Sequence, residues 1–171
     1  MELDKDLKAR QEARDLARQA EVAQKLLMRM DQEKLDKIVQ AIADAFYKHS
    51  GELADMAVRE TGFGNVEDKT TKNTFASQTV YANLKNMRCV GVLKEDPGEK
   101  LWEIGVPVGV IAAIVPSTNP TSTVCYKALI ALKAGNSVVF SPHPKAILCT
   151  LRAAEIVAKA AENAGAPRGS V

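Results

Sequence analysis

Polar residues that could stabilise developing charge lie in a short loop, Ser117–Pro120, which directly follows an apolar run. The Asn119 amide and the Thr118 hydroxyl are hydrogen-bond donors, and fixed donors of this kind stabilise negative charge on a substrate oxygen. The alternative is a purely structural turn, since Thr, Asn and Pro are common loop formers. Thr118 and Asn119 are therefore candidates for contact with a ligand.

A second turn, Ser141-Pro142-His143-Pro144, follows the next apolar run. The two prolines make the turn rigid, and Pro144 suits the first position of a following helix. The His143 imidazole could stack on a nucleotide base or hydrogen-bond to it, with an ordinary exposed turn histidine as the alternative. His143 is therefore a candidate for nucleotide contact.

The elements that must position both turns form a strand–helix–strand unit. Residues 108–115 predict a strand buried on both faces, residues 121–134 predict a helix capped by hydroxyls at 121–123, and residues 137–140 predict a second strand. Ligands bind beyond the carboxyl ends of parallel strands, so both turns are expected at one edge. The candidate ligand-binding residues are Val115, Pro116, Ser117, Thr118, Asn119, Pro120, Ser141, Pro142, His143 and Pro144.

The segment that carries both turns, PVGVIAAIVPSTNPTSTVCYKALIALKAGNSVVFSPHPKA at 107–146, closely resembles the start of the cofactor-binding domain of CoA-acylating aldehyde dehydrogenases. These include stand-alone acetaldehyde dehydrogenases and the aldehyde-dehydrogenase half of bifunctional alcohol/aldehyde dehydrogenases. A second matching segment, ETGFGNVEDKTTKN, occupies Glu60–Asn73. The resemblance extends over nearly the whole chain but covers only the first portion of such an enzyme.

The resemblance implies an α/β, aldehyde-dehydrogenase-like fold in three parts. Residues 1–88 would form N-terminal helices, 89–106 an oligomerisation β-hairpin, and 107–171 the first βαβ unit of a Rossmann-like, NAD-binding sheet. The implied reaction converts an aldehyde, CoA and NAD⁺ to acyl-CoA and NADH through a cysteine thioester in a homo-oligomer. The family's nucleophilic cysteine lies in a later domain, so this chain alone is predicted to be inactive.

Two departures from hydrolytic aldehyde dehydrogenases accompany the resemblance. Hydrolytic enzymes carry Pro-Trp-Asn-Phe-Pro at the first turn, where the asparagine amide helps to stabilise the oxyanion, whereas here Thr118 takes that position and Asn119 is displaced by one. The role of Thr118 or Asn119 as an oxyanion donor or in substrate positioning rests on this resemblance, and which of the two faces the substrate oxygen stays open. The second turn replaces the Lys-x-x-Glu that holds the adenosine ribose, which is consistent with acylating enzymes in which CoA must also visit the site.

Residue types and their neighbours argue against a reactive cysteine and against a standard glycine-rich phosphate loop. Cys125 and Cys149 have apolar neighbours and no nearby base, so we expect buried, unreactive thiols. No G-x-G-x-x-G is present, which excludes the standard Rossmann phosphate fingerprint. The charged stretch Glu67-Asp68-Lys69, together with Lys72, predicts a solvated helix face.

Composition is that of an ordinary soluble domain: 171 residues, 46% hydrophobic and 26% charged, with a net charge of +2 that is too small to suggest nucleic-acid binding. Three widely spaced cysteines indicate neither a disulfide framework nor a metal site and favour a reducing cytoplasm. No signal peptide or membrane span is expected.

An alternative role for the N-terminal helix is to address the enzyme to a bacterial microcompartment.

Periodicity predicts the remaining elements. A helix over 3–29 should pack on its own body through a narrow, alanine-rich stripe. A hairpin should turn at Glu95–Gly98, and the chain stops at Val171, where the next strand would begin, so a truncation is expected. The other predicted helices cover 32–49 (capped by Asp31, broken at Gly51), 52–61, 65–87 (burying Phe75) and 145–164 (burying Ile147, Leu148, Leu151, Ala154 and Val157).

Two rival functions stay open at this stage. The first is a hydrolytic aldehyde dehydrogenase, against which both turn sequences argue. The second is a non-catalytic interaction module in which the helices and hairpin bind a full-length relative.

Overall fold

The computed structural model describes residues 4–171, which form one helical layer packed on a strand–helix–strand unit. The elements are α1 (Lys5–Leu27), α2 (Gln32–Lys48), α3 (Ser50–Thr61), α4 (Val66–Thr74), a π-helical segment (Phe75–Thr79), α5 (Val80–Leu84), β1 (Gly91–Asp96), β2 (Leu101–Gly105), β3 (Val110–Ile114), α6 (Pro120–Lys133), β4 (Ser137–Ser141) and α7 (Ile147–Asn163).

Helix α2 is the centre of the core. Its first turn is capped by Asp31, whose carboxylate accepts from the Lys34 N–H at 2.9 Å, as the sequence predicted. Apolar residues at helical spacing then put one whole face against α6 and α7. The buried side chains on this face are Leu35, Ile38, Val39, Ile42, Ala43 and Phe46.

The boundary between α2 and α3 differs from the prediction. The helix breaks at His49, and Gly51 lies in the first turn of α3 instead of ending α2. Gly51 is not among the glycines with positive φ, so it continues the helix and its conformational freedom is not used to break it. Helix α3 ends as predicted at Gly62, whose φ of 70° is left-handed.

A π-helical segment interrupts the predicted single helix that follows. Asn65 caps α4 as expected, with its carboxamide oxygen accepting from the Asp68 N–H at 2.8 Å. Phe75, predicted to be buried, is 57% exposed, because Asn73, Ala76 and Ser77 form the inner face and leave Phe75 on the outer side. Burial of Phe75 was therefore a wrong prediction.

The predicted hairpin is confirmed as the antiparallel pair β1 and β2, with a bulge between Val92 and Lys94. Its strands are exposed along most of their length, and Trp102 and Ile104 are 57% and 58% exposed. At the base, the strand passes so close to the Cys89 carbonyl that a Cβ on Gly105 would lie 2.3 Å from its oxygen. Only glycine fits at that position.

The strand–helix–strand unit is also confirmed: β3 and β4 pair in parallel, with α6 as the crossover. The prediction that β3 is buried on both faces is wrong for this chain. Ala113 is buried, but Val110 and Ile114, which share the other face, are 37% and 75% exposed. Among residues 4–171, β3 pairs with β4 alone, so its other edge carries no strand, and α1 covers this sheet only in part.

Both helices of this unit begin differently from the prediction. Asn119, not the hydroxyls at 121–123, is the N-cap of α6, and Pro120 takes the first helical position. Helix α7 begins at Ile147, so Pro144 belongs to the preceding turn. Its predicted face was partly wrong as well: Ile147, Leu148 and Leu151 are exposed, whereas the side chains that pack inward are Cys149, Thr150, Ala153, Ile156, Val157, Ala160 and Ala161.

Helix α1 packs on the sheet through its last two turns, where Ala20, Ala23 and Leu27 are buried, while its first half is exposed. The hydrophobic core joins residues from 1–88 and 107–171 in a single cluster. The division into three domains stays a prediction. No helix within residues 4–171 is long and apolar enough to cross a membrane.

Candidate functional site

The parallel register brings the two polar turns to the same edge of the sheet. Ile114 pairs with Ser141 at the carboxyl ends of β3 and β4, and the Val115 N–H donates to the Ser141 carbonyl at 2.9 Å. The loop that contains Thr118 and the turn that contains His143 therefore leave adjacent strands at adjacent points. This is the placement that the sequence predicted.

Two lysines from α4 contact the first turn. Lys69 Nζ donates to the Thr118 carbonyl at 2.7 Å, and Lys72 Nζ donates to Asn119 Oδ1 at 3.1 Å. The predicted solvated face is wrong for Lys69, which is only 5% exposed. Lys69, Lys72 and Asn73 stand at i, i+3 and i+4, so their helical spacing was the signal that could have placed them on one face.

Burial and like charge act together on Lys69. Desolvation, followed by the nearby positive charge of Lys72, lowers the pKa of the Lys69 ammonium below its ordinary value. No carboxylate among residues 4–171 lies within ion-pair distance of either ammonium. The first turn is thus flanked by positive charge that the described residues do not neutralise.

Asn73 joins α4 to the elements on both sides. Its Nδ2 donates to the Ser50 carbonyl at 2.9 Å, and its Oδ1 accepts from the Thr121 hydroxyl at 2.8 Å. Asn73 is 1% exposed, and Thr121 lies in the first turn of α6. These buried hydrogen bonds hold α4 at a set distance from the loop that precedes α6.

The second turn is exposed and locally bonded. His143 Nδ1 accepts from the Lys145 N–H at 3.1 Å, and the His143 carbonyl accepts from the Ala146 N–H at 2.8 Å. With Nδ1 engaged as an acceptor, Nε2 carries the ring proton and is available to a ligand. Ser141 and Pro144 are also exposed.

Pro142 lines an apolar crevice of about 170 Å³ between α1, β4 and α7. Leu16, Phe140 and Leu151 contribute much of its wall. Its volume and apolar lining suit part of a flat ring system. The structure therefore brings one residue of the predicted second turn to a cavity.

Glu60 caps α7 beside the second turn, a role that the sequence did not reveal. Its two carboxylate oxygens accept from the Leu148 and Cys149 N–H groups, each at 2.8 Å. Partial burial opposes ionisation, but these backbone donors outweigh it and lower the pKa of Glu60 below its ordinary value. A carboxylate at a helix N-terminus is also favoured by the helix dipole.

Replacing Glu60 with Gln is expected to destabilise the fold by about 1 kcal/mol at pH 7. A lowered folded-state pKa means that the stabilisation is present above the unfolded value, about 4.3, and is lost as pH falls below it. Urea unfolding of the wild type and Glu60→Gln at pH 7 and pH 3 measures this, with exposed Glu162→Gln as the control. An equal Glu60→Gln deficit at both pH values would contradict the assignment.

The cysteines are as expected. Cys125 is fully buried, and burial raises the pKa of its thiol far above the ordinary range. Burial, followed by the Glu60 carboxylate, raises the pKa of Cys149 to about 12. Neither is a thiolate near neutral pH. Within residues 4–171, no cluster of side chains is suited to hold a metal ion.

A helical region packed on a parallel βαβ unit, with two polar turns at its carboxyl edge, is an α/β arrangement of the kind that binds ligands at that edge. The aldehyde dehydrogenase family model matches residues 5–171, and the chain belongs to that family. The bifunctional aldehyde-alcohol dehydrogenase AdhE of Escherichia coli K12 is 46% identical over 153 residues, which is 90% of this chain and 17% of that protein. The chain spans less than a fifth of the length of its first curated relatives.

Solved structures identify the branch of the family. An acetylating aldehyde dehydrogenase from Geobacillus thermoglucosidasius matches with 55% identity and a TM-score of 0.96 over 97% of this chain and 37% of its own. A probable aldehyde dehydrogenase from Listeria monocytogenes matches with 53% identity and a TM-score of 0.97, and the match covers 99% of this chain and 37% of the Listeria chain. The resemblance to CoA-acylating enzymes is confirmed, as is the aldehyde-dehydrogenase-like fold.

Ligands occur in more distant neighbours. A propionaldehyde dehydrogenase from Rhodopseudomonas palustris, 30% identical with a TM-score of 0.74 over 92% of this chain and 36% of its own, holds CoA and an acylated cysteine. An engineered glycolyl-CoA reductase holds NADP⁺. It is 29% identical with a TM-score of 0.73, and the match covers 92% of this chain and 35% of its own.

Proposed function

We propose that this chain supplies the first part of the active site of a CoA-acylating aldehyde dehydrogenase, which interconverts an aldehyde, CoA and NAD⁺ with acyl-CoA and NADH. The observation that carries the proposal is the Ile114–Ser141 register, which puts two polar turns side by side at the carboxyl edge of the sheet. Relatives whose names specify acetylating or CoA chemistry support the acylating reaction over the hydrolytic one.

The reaction needs a thiolate that the described residues do not provide. A cysteine outside this chain would attack the aldehyde carbon, and the resulting oxyanion needs a donor. Once the acyl thioester has formed, the CoA thiolate would attack it and the enzyme cysteine would leave. Cys125 and Cys149 cannot fill that role because both are buried and protonated, and Cys89 lies beside Gln32 at the opposite end of α6 from the two turns. The chain's own contribution is binding and orientation.

Asn119 is the better candidate for the oxyanion donor. Its Oδ1 is held by Lys72, which leaves the Nδ2 amino group as the free half of the amide. Thr118 is exposed, and Lys69 holds its backbone carbonyl while leaving the hydroxyl unconstrained. A fixed donor stabilises developing charge better than a freely rotating one.

The edge also suits an anionic dinucleotide. Lys69 and Lys72 bring positive charge to the first turn, and the apolar crevice beside Pro142 suits a base. NAD supplies the hydride acceptor when bound. Residues 115–120 and 141–144 would provide the walls, with His143 Nε2 available to the nucleotide. CoA would use the same edge as co-substrate.

The test is acyl-CoA-dependent NADH oxidation by two proteins. The first is the 171-residue chain, for which we expect no turnover. The second is a fusion in which residues 1–171 replace the matching segment of the Geobacillus acetylating enzyme, for which we expect turnover that requires acyl-CoA and, in the reverse direction, NAD⁺-dependent aldehyde oxidation that requires CoA. Robust turnover by the chain alone that Cys125→Ala abolishes would overturn the proposal, as would aldehyde oxidation by the fusion that needs no CoA. Repeating the assay of the fusion with NADPH in place of NADH tests which of the two nicotinamide cofactors supports turnover.

Self-association through residues 89–106 is the second part of the proposal. An isolated two-stranded hairpin is marginally stable in water, and this one exposes Trp102 and Ile104. Pairing with a second copy would bury both. A cytoplasmic location, inside a microcompartment or not, stays a prediction.

Replacing Ile104 with Lys is therefore expected to shift the protein from oligomer to monomer, because it puts a charge into the buried centre of the interface. Analytical ultracentrifugation measures the mass, and circular dichroism checks that helix content is unchanged. Val22→Lys, at a 63% exposed position of α1, is the matched control and should leave the mass unaltered. Dissociation by Val22→Lys but not by Ile104→Lys would move the interface to the N-terminal helix.

A further inference from the structure

The contact between Lys72 and Asn119 determines which half of the amide is free. Lys72 Nζ lies 3.1 Å from Asn119 Oδ1. An ammonium has donors only, so the carboxamide oxygen, not its nitrogen, must face Lys72. The Nδ2 amino group then lies on the opposite arm of the planar amide. A cation thus sets the orientation of a neutral donor.

Asn119 differs from Asp31 and Asn65, two other polar N-caps of this chain, whereas Asp4 at the start of α1 likewise makes no side-chain capping bond. Asp31 and Asn65 both accept hydrogen bonds from backbone N–H groups in the first turns of their helices. Asn119 is the N-cap of α6, but its side chain makes no capping bond to that helix. Asparagine favours this bond at an N-cap, but here its side-chain oxygen accepts from Lys72 instead.

The backbone beneath Asn119 is held by the same helix that carries Lys72. Lys69, which is buried, bonds the Thr118 carbonyl at 2.7 Å. One turn later, Asn73 ties α4 to Ser50 and to Thr121. Because these anchors are buried, the backbone of α4 from which the exposed Lys72 side chain extends is held by packing relative to the loop.

We propose that Lys72 is a positioning residue that holds the Asn119 carboxamide with its amino group toward the substrate oxygen, while Lys69 fixes the loop backbone. This inference rests on the proposed oxyanion role of Asn119. Lys72 does not contact the substrate, and its effect on turnover passes through the asparagine.

The experiment uses the active fusion and a double-mutant cycle. Lys72→Met is expected to lower kcat by about 10–100-fold, less than loss of the donor itself, with KM for CoA and for the nucleotide nearly unchanged. Lys72→Arg retains a cationic donor and should recover most of kcat. In an Asn119→Ala background, Lys72→Met should have no further effect. Lys159→Met, at an exposed position of α7, is the control.

The outcomes separate this inference from the proposed function. If Asn119→Ala lowers kcat but Lys72→Met lowers it equally with and without Asn119, the positioning role is wrong and the oxyanion role stands. If Lys72→Met raises KM for CoA or nucleotide instead of lowering kcat, Lys72 is a phosphate-binding residue and the positioning role is wrong. If Asn119→Ala has no effect, both ideas fail.

A second measurement needs no turnover. In the ¹⁵N-labelled 171-residue protein, the Asn119 side-chain amide is expected to show a rigid heteronuclear NOE that drops in Lys72→Met and is restored in Lys72→Arg. An amide that is equally rigid in Lys72→Met, with the backbone amides unchanged, would overturn the inference.

Discussion

Replacing Asn119 with Ala in the active fusion lowers kcat for acyl-CoA reduction by about 10²–10³-fold, the largest effect we expect at the candidate site. Removing one preorganised donor from an oxyanion site has consequences of this size because the developing charge then has no fixed dipole to face. KM for acyl-CoA should change little, because the lost interaction strengthens only as charge develops. Steady-state kinetics of NADH oxidation over a range of acyl-CoA concentrations measures both kcat and KM.

Three further variants make the Asn119 result specific. Asn119→Asp keeps the size and the oxygen toward Lys72 but removes the amino group, so it should be at least as impaired as Asn119→Ala. Thr118→Ala tests the other candidate donor, because the sequence left open whether Thr118 or Asn119 faces the substrate oxygen. We expect only a small loss of kcat. Asn86→Ala, at an exposed position after α5, should behave as wild type. A large loss in Thr118→Ala with a mild one in Asn119→Ala would exchange their roles.

Replacing Phe46 with Ala is expected to cost about 3–5 kcal/mol of unfolding free energy, because it removes a large side chain from a site that cannot close the cavity. Phe46 is fully buried in the main core at the end of α2. A loss of that size is a large share of the total stability of an ordinary domain, about 5–15 kcal/mol. Urea denaturation of the 171-residue protein, followed by circular dichroism, measures it.

The chain contains its own control for this prediction. Phe75 is the same residue type in another helix, but it is 57% exposed. Phe75→Ala should change the unfolding free energy by no more than about 0.5 kcal/mol. If the two substitutions were equally costly, the burial assigned to these helices would be wrong. If Phe75→Ala lowers only the oligomer mass, Phe75 lies at an interface.

Local signals were sufficient at several helix ends and turns, although they failed at Gly51 and at the start of α6. Asp31 and Asn65 cap the helices that the sequence assigned to them, and the turn at Gly62 ends α3. The alternating runs on both sides of Pro97-Gly98 gave the hairpin. The order strand, helix, strand gave the parallel pair and hence the shared edge of the two turns. Each of these features depends on neighbouring residues or on a general rule of chain connection.

Predictions of which face is buried were less successful. The first turns of α7 have Leu148 and Leu151 outside and small residues inside. The open face of β3 likewise exposes Ile114. Periodicity shows that a helix or strand has an apolar side, but burial depends on which element packs there. Where no such element lies within the described residues, an apolar side chain stays exposed.

The sequence by itself determined the class of protein and the shared edge of the two turns, where ligand binding stays a prediction, because these depend on short motifs and on chain order. Only the tertiary structure decided how the site is held. The contacts of Lys69 with Thr118 and of Lys72 with Asn119 join residues 49 and 47 positions apart. Their formation requires α4 to be packed beside α6, and that packing is set by the buried core and by Asn73, not by local sequence.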